Sequence, residues 1–230
     1  LIIMATAYSP KIITDGLVLC LDAGDVKSYP GTGTTWKDRS GNGNNGTLTN
    51  GPTFDSANGG GIEFDSLDDR VIISNSTSLN PTAGLTIEAW VNFDADSQDF
   101  IFEKGDVNTQ FSLFSHGSDI MFRTFHDADS GYINTSVTKS TYITNGQWHH
   151  IIGSWDGSNK RIFIDSNLVK TQAKTGALKT RTTDAAIGTF GNYTGYPFGG
   201  KIAAVRLYSK GLADAEVAQN YNATKSRFEL

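Results

Sequence analysis

Oxygen-bearing side chains are concentrated in one long irregular region, residues 22–51. Its turns are rich in glycine and asparagine, and the side chains that could share one ion are Asp22, Asp38, Asn42 and Asn44. Hard cations such as Ca²⁺ take six to eight oxygen ligands from carboxylates, amides and backbone carbonyls. The region therefore predicts a calcium site. The alternative is that Asp38 and the asparagines hydrogen-bond the backbone of their own loop.

Two aromatic stretches predict sugar binding. Sugar sites combine an aromatic face with planar polar side chains, and aromatic rings that carry a polar group suit half-exposed sites of this kind. The first stretch contributes Phe190, Asn192, Tyr193, Tyr196 and Phe198, and the second contributes Asp127 and Tyr132. The alternative is that these aromatics fill the edge of a sheet or a subunit interface, where Tyr and Phe are also enriched.

Other chemistry finds little support in the sequence. His149 and His150 are adjacent, and neighbours on a strand point to opposite faces, so they cannot easily share one ion and we expect one packed and one exposed. The acidic run at residues 94–99 lacks the glycine and glutamate of an EF-hand and predicts a solvated turn. Neither a G-x-S-x-G motif nor a P-loop is present.

Composition narrows the class of protein. The 230 residues carry a formal net charge of −5, with a pI of about 5.3, and no basic stripe, so we expect neither nucleic acid nor membrane as a partner. Cys20 is the single cysteine, which excludes an intrachain disulfide and predicts a small buried hydrophobe. The sequence before residue 14 does not read as a secretion signal. Many glycines and few prolines between short apolar runs favour strands and tight turns.

An antiparallel β-sandwich is the predicted fold. Residues 145–169 alternate turn signals with short apolar strands, and both faces of residues 149–155 carry apolar side chains, which indicates burial on two sides. Residues 85–93 alternate with Ile87 and Val91 on one face. Residues 212–223 form the one predicted helix, expected at one end of the sandwich. The predicted organisation is an extended arm (residues 1–15), one domain (16–222) and a tail (223–230).

Four segments resemble the laminin-G and pentraxin type of concanavalin A-like jelly roll. They are GQWHHIIGSWDG, LTIEAWVNF at residues 85–93, IFEKG at 101–105 and GGKIAAVRLYSKGLADAEVAQNY at 199–221. The resemblance implies that the loop carrying Asp38 holds calcium in many relatives. Relatives also supply an acidic residue in the last strand, where this chain has Ala203 and Ala204. Related glucanases carry E-x-D-x-E, and the nearest match, Glu63-Phe64-Asp65, lacks the third acid.

A further resemblance extends over residues 18–54 and the ending QNYNATKSRF, which are similar to laminin-G-like domains in structural proteins of tailed phages. It implies a non-enzymatic virion protein of the capsid-decoration or fibre type, placed on the virion surface, with a lectin-like domain for adhesion. The expected partners are other virion proteins, further copies of the chain as a homo-oligomer, and host surface glycans. The alternatives are a secreted calcium-dependent carbohydrate-binding module and, disfavoured by the missing acid, a glycoside hydrolase.

Overall fold

Two antiparallel sheets, each with eight strands among the described residues, pack face to face. The computed structural model describes residues 10–96, 98–105, 109–191 and 195–230. Numbered in chain order, the first sheet contains β1 (Leu17–Asp22), β4 (Thr53–Asp55), β5 (Gly61–Asp65), β7 (Leu85–Phe93), β12 (Trp148–Trp155), β13 (Asn159–Ile164), β14 (Asn167–Ala173) and β16 (Gly199–Tyr208). The second contains β2 (Thr35–Trp36), β3 (Gly46–Thr49), β6 (Arg70–Ile73), β8 (Phe100–Lys104), β9 (Phe111–His116), β10 (Asp119–Thr124), β11 (Ile133–Thr138) and β15 (Ala185–Ile187). The predicted antiparallel sandwich is confirmed.

The long last strand, β16, joins distant parts of the first sheet. Along one edge it pairs with β7. Along the other edge its beginning, Gly199 to Ile202, pairs with β5, and its remainder, from Ala204 to Tyr208, pairs with β1. The strand order is therefore β14-β13-β12-β7-β16-β5-β4, with β1 also beside β16. The first and last strands of the chain are neighbours as a result.

Strand β7 is buried on both faces for two different reasons. Its residues Ile87 and Val91 belong to the main hydrophobic core between the sheets, as the alternation in the sequence predicts. Trp90 points to the opposite face and belongs to a second apolar cluster outside the sandwich. A continuous apolar strand of this kind needs cover on both sides, and the second cover comes from the C-terminal helix.

The close approach of the two sheets requires glycine at one position. A Cβ atom on Gly153 of β12 would lie 2.5 Å from Cδ2 of Phe122 on β10. Real Cβ atoms do not tolerate so short a contact, so the Phe122 ring fills the space that a side chain would occupy.

The helix α1 (Asp214–Thr224) and the 3₁₀ helix that follows it (Lys225–Phe228) lie on the outer face of the first sheet. This corrects the expectation that the helix covers one end of the sandwich. The ring of Phe228 stacks on Trp90 with centroids 4.2 Å apart, and the indole N–H of Trp90 donates to Oγ1 of Thr224 at 2.9 Å. The last residues of the chain therefore pack on the first sheet of the same molecule.

A buried polar network fixes the helix on that face. The carboxylate of Glu88 on β7 accepts hydrogen bonds from Arg206 at 2.5 Å and from Asn220 of the helix at 2.6 Å. His150 lies 3.0 Å from the same carboxylate. Burial alone would raise the pKa of Glu88, but Arg206 and His150 outweigh it and hold this pKa at about 2. The buried negative charge of Glu88 is therefore balanced by the positive charge of Arg206 inside the protein.

Residues 10–15 run along the same outer face. The backbone N–H of Ile13 donates to Oδ1 of Asn220 at 2.7 Å, and the hydroxyl of Tyr208 donates to the carbonyl of Ile13 at 3.2 Å. Both ends of the described chain thus share one side of the sandwich. The described residues contain no helix with the length and apolar character needed to cross a membrane.

Candidate functional site

The loop predicted to hold calcium is organised around Asp38. Its carboxylate accepts four hydrogen bonds of 2.7–3.0 Å, from the backbone N–H groups of Cys20, Ser40 and Asn44 and from the hydroxyl of Ser40. Asn44 is buried and its amide donates to the carbonyl of Val18 at 2.8 Å. The exposed Asn42 donates to Ser40 at 3.0 Å. An ion at this loop would have to displace these protein donors.

The fourth predicted ligand, Asp22, has different partners. Its carboxylate lies 2.5 Å from Nη1 of Arg227 and 3.6 Å from Nη2 of Arg206. Ala203 and Ala204, which replace the acidic residue expected in the last strand, pack in the apolar cluster with Trp90 and Phe228. The geometry fits a cross-linked loop and an arginine-paired aspartate better than a shared ion, and calcium at these residues stays a prediction.

The first predicted aromatic stretch divides between the core and the surface. Phe198 is fully buried and packs on Phe64 and Phe93. Phe190 and Tyr196 instead lie on the outer face of the second sheet, where their ring centroids are 5.0 and 6.2 Å from that of Phe100. The predicted residues Asn192 and Tyr193 lie outside the described residues.

The second predicted stretch reaches the same outer face. Tyr132 is 40% exposed and makes an edge-to-face contact with Phe125 at 5.6 Å. Asp127 is exposed, and its backbone N–H donates to the carbonyl of Ala177 at 2.9 Å. Tyr132 and Tyr196 are therefore presented on one side of the molecule, although 64 residues separate them in sequence.

Three residues that the sequence reasoning missed join the two stretches. The rings of Phe100 and Phe114 stack in parallel with centroids 4.6 Å apart. The guanidinium of Arg123 lies 4.5 Å from the ring centroid of Phe114 and 4.9 Å from that of Tyr132. We call this set the aromatic face; its members are Phe100, Phe114, Arg123, Phe125, Tyr132, Phe190 and Tyr196. The available signal was an aromatic residue, Phe114, on the outward side of β9, whose inward residues are Phe111 and Leu113.

Positive charge accompanies the aromatic face. Nε of Arg123 donates to Oδ1 of Asn134 at 3.1 Å, which holds the guanidinium in place. Burial lowers the pKa of Arg123, and the negative charge of Glu103 opposes this change. Lys179 and Arg181 lie 5.0 and 5.3 Å from the ring centroid of Phe125. Cations over aromatic rings are arranged here beside two half-exposed tyrosines.

The histidines are engaged in the fold. His149 accepts a hydrogen bond at Nε2 from the backbone of Thr144 at 3.0 Å, so its proton lies on Nδ1 and is donated to Asp165 at 2.8 Å. His150 lies under the helix beside Glu88. Both are buried, with 8% and 0% exposure, and the expectation that one of them is exposed is wrong.

The fold is an antiparallel β-sandwich, and the aromatic face is an ordered surface on the outside of its second sheet. The chain belongs to the laminin-G-like family described as the concanavalin A-like lectin/glucanases superfamily, which matches residues 64–218 and therefore more than half of the chain. This confirms the family resemblance and the jelly-roll fold. None of the curated proteins matches the chain in sequence.

Several solved structures share the fold at low sequence identity. The binding domain of Paraclostridial Mosquitocidal Protein 1 is 17% identical, with a TM-score of 0.73 over 91% of this chain and 52% of that one. The receptor binding domain of botulinum neurotoxin C/D mosaic serotype is 13% identical, with a TM-score of 0.71 over 91% and 51%. The ligand binding domain of botulinum neurotoxin serotype D, in complex with N-acetylneuraminic acid, is 13% identical, with a TM-score of 0.70 over 91% and 51%. The chain spans about half the length of these structures.

Proposed function

We propose that the protein is a non-catalytic carbohydrate-binding domain and that the aromatic face holds the glycan. The observation that carries this proposal is the continuous series of contacts from Tyr196 through Phe100, Phe114 and Arg123 to Tyr132. Tyr196 and Tyr132 are 50% and 40% exposed at the two ends of this series. Sugar rings present C–H faces that stack on aromatic rings, and their hydroxyls bond to planar polar groups.

The rigidity of this surface supports the proposal. Phe100 and Phe114 are 1% and 0% exposed, so they form a fixed floor beneath the exposed tyrosines. Arg123 is held between two rings and Asn134. A surface that is ordered before binding loses little conformational entropy when a ligand arrives, which favours affinity.

The charge of the face suits an acidic glycan. Arg123, Lys179 and Arg181 lie against its rings, whereas the chain as a whole carries a formal net charge of −5. A sugar carboxylate can accept charge-assisted hydrogen bonds from a guanidinium. One structural neighbour is described in complex with N-acetylneuraminic acid, an acidic sugar. That likeness supports the class of ligand proposed here without locating its site.

Glycan binding is tested by isothermal titration calorimetry with N-acetylneuraminic acid and with galactose, after a screen on a glycan array. Tyr196→Ala and Tyr132→Ala are each expected to weaken binding at least tenfold while the thermal unfolding transition is kept. The matched control is Tyr142→Ala, since Tyr142 is also 40% exposed but lies at the edge of the sandwich beside Val169 and Lys170 of β14. Equal binding by all four proteins would contradict the proposal.

We infer the remaining functional predictions from the resemblance to phage proteins alone. They are a place on the virion surface, contacts with other virion proteins, and a homo-oligomer, with a secreted module as the alternative. Light scattering of the purified chain measures the oligomer directly. A glycoside hydrolase stays disfavoured, and incubation of the chain with the glycans that it binds, followed by product analysis, tests for hydrolysis.

A further inference from the structure

A cleft of about 390 Å³ opens on the first sheet, apart from the aromatic face. Five of its eight lining residues carry side-chain carboxylates or amides, namely Asn50, Glu63, Asp65, Asp69 and Asp94. Asp68 lies next to it, and one carboxylate oxygen from each of Asp65, Asp68 and Asp69 lies within 4.8 Å of the others. Three carboxylates at this spacing can contact one ion together.

The carboxylate of Asp69 is only half satisfied by the protein. Its Oδ2 accepts the backbone N–H of Asp65 at 3.1 Å. Its Oδ1 has no hydrogen-bond partner among the described residues, although the residue is only 4% exposed. This oxygen faces Gly51 of the cleft, where a Cβ would lie 3.6 Å away. A buried carboxylate oxygen without a partner is costly, and a ligand entering the cleft would satisfy it.

The negative charges of the cluster are not balanced by neighbouring side chains. No described lysine or arginine forms an ion pair with Asp65, Asp68 or Asp69. Lys201 of the first sheet, for example, pairs with Asp55 instead. The guanidinium of Arg70 donates to the backbone carbonyl of Asp68 at 3.0 Å rather than to a carboxylate. No described side-chain cation therefore neutralises these three carboxylates.

We propose that Asp65, Asp68 and Asp69 bind a calcium ion at this cleft. The three carboxylates supply hard oxygen ligands, and the unpaired Oδ1 of Asp69 is the ligand that the fold leaves free. Nδ2 of Asn50 donates to Oδ2 of Asp68 at 2.7 Å, which orients that carboxylate. The side-chain oxygen Oδ1 of Asn50 is a further oxygen at the cleft. Calcium accepts irregular sets of six to eight oxygens, whereas magnesium demands near-ideal octahedral geometry at shorter distances.

This site is separate from the loop predicted by the family resemblance. In that loop the carboxylate of Asp38 already accepts four hydrogen bonds from protein donors. The cluster at the cleft differs in having an unpaired buried oxygen and three carboxylates whose oxygens lie within 4.8 Å of one another. A single ion bound by the chain is therefore assigned to the cleft.

The test is calcium titration of the chelator-treated protein by isothermal titration calorimetry, together with its melting temperature at increasing calcium concentration. We expect one site per chain and a melting temperature that rises with calcium, because an ion that binds only the folded state stabilises it. Asp69→Asn and Asp65→Asn should each weaken binding at least tenfold and abolish the rise. Asp119→Asn on the second sheet is the control and should bind as the wild type does, whereas Asn42→Ala tests the alternative calcium site in the loop of Asp38.

A second readout distinguishes loss of the ion from loss of folding. In chelator, Asp69→Asn should melt at the same temperature as the wild type or higher, because it removes a charge from a repulsive cluster. Asp65 is exposed, so Asp65→Asn folds even if a change at buried Asp69 does not. The proposal is overturned if the wild type does not bind millimolar calcium. It is overturned equally if both aspartate variants bind normally, or if only Asn42→Ala loses binding.

Discussion

The side-chain amide of Asn220 donates a 2.6 Å hydrogen bond to the carboxylate of Glu88, and this contact joins the C-terminal helix to the centre of the first sheet. The same carboxylate pairs with Arg206 of β16 at 2.5 Å. Asn220 also bonds the backbone of Ile13 and the hydroxyl of Tyr208. One buried carboxylate therefore organises three segments that are distant in sequence.

Glu88→Gln should destabilise the fold strongly. The substitution keeps the shape of the side chain but leaves the buried guanidinium of Arg206 with only the more distant carboxylate of Asp22, at 3.6 Å, as a counter-charge, and breaking such a pair costs about 3–5 kcal/mol. Urea denaturation followed by circular dichroism measures the change in the free energy of unfolding. The control is Glu63→Gln at an exposed position of β5, which should change that free energy by less than about 0.5 kcal/mol.

Acid should unfold the protein through Glu88. The pKa of its carboxyl is held at about 2 in the folded protein, mainly by Arg206 against the effect of burial, and the ordinary value is 4.5. A lowered pKa contributes stability above pH 4.5, and this contribution is lost as the pH falls toward 2. The free energy of unfolding should therefore decline between these values, and the decline should be shallower in Glu88→Gln. Identical acid profiles for the two proteins would contradict this assignment.

Lys160 should make stability rise with pH on the alkaline side. Its Nζ is buried and donates to the carbonyl of Phe122 at 3.0 Å, and burial, assisted by the charges of Lys174 and Arg123, lowers its pKa to about 7. The unfolded chain keeps this proton up to pH 10.5, so it binds more protons than the folded chain between the two values. The free energy of unfolding should rise there by at most about 1.4 kcal/mol per pH unit.

The matching variant is Lys160→Met, which has a similar length and no charge. It should remove this slope and be more stable than the wild type at pH 6, where the folded lysine has to carry a buried charge. Chemical denaturation at pH 6 and pH 9 measures both effects. A variant that is less stable than the wild type at pH 6 would show that the hydrogen bonds of Lys160 outweigh its burial.

Phe228→Ala should loosen the C-terminal segment. The ring of Phe228 is 5% exposed and stacks on Trp90 with centroids 4.2 Å apart. Its removal opens a cavity beside the indole and should lower the free energy of unfolding by about 3 kcal/mol. Tryptophan fluorescence should shift to longer wavelength as water reaches Trp90, and the midpoint of denaturation should fall. Leu230→Ala changes a 52% exposed residue of the same segment and should alter neither quantity.

Arg123 should decide the preference for acidic over neutral glycans on the aromatic face. Its guanidinium lies between Phe114 and Tyr132. Arg123→Met keeps the packing of the side-chain stem but removes the charge, so we expect affinity for N-acetylneuraminic acid to fall about tenfold or more and affinity for galactose to change little. Calorimetry with the two sugars separates the effects. An equal loss for both sugars would assign Arg123 a packing role alone.

The strands could be predicted because their apolar periodicity is local. The alternation of Ile87 and Val91 and the runs at β8 and β9 identify strands without knowledge of their neighbours. The position of the helix could not be predicted in this way. Its docking depends on Asn220 and Phe228, whose partners Glu88 and Trp90 are more than 130 residues away in the sequence.

The site residues show the same contrast between what local sequence indicates and what only the fold brings together. Tyr196 and Tyr132 were identified by type, but their place on one face depends on Phe100, Phe114 and Arg123, which only the register of β8, β9 and β10 brings together. Phe198 belongs to the same stretch as Tyr196 yet turns into the core, and an irregular loop carries no periodicity from which its direction could be read.

Both ends of the described chain lie on the outer face of the first sheet, and the aromatic face is the outer face of the second. The two chain ends and the aromatic face therefore lie on opposite sides of the molecule. A carrier joined at Leu230 would hold the domain by the first sheet and leave the aromatic face directed toward solution. On a particle or bead coated in this manner every copy would point its tyrosines outward, so that many weak sugar contacts could act together with an avidity that no single domain possesses.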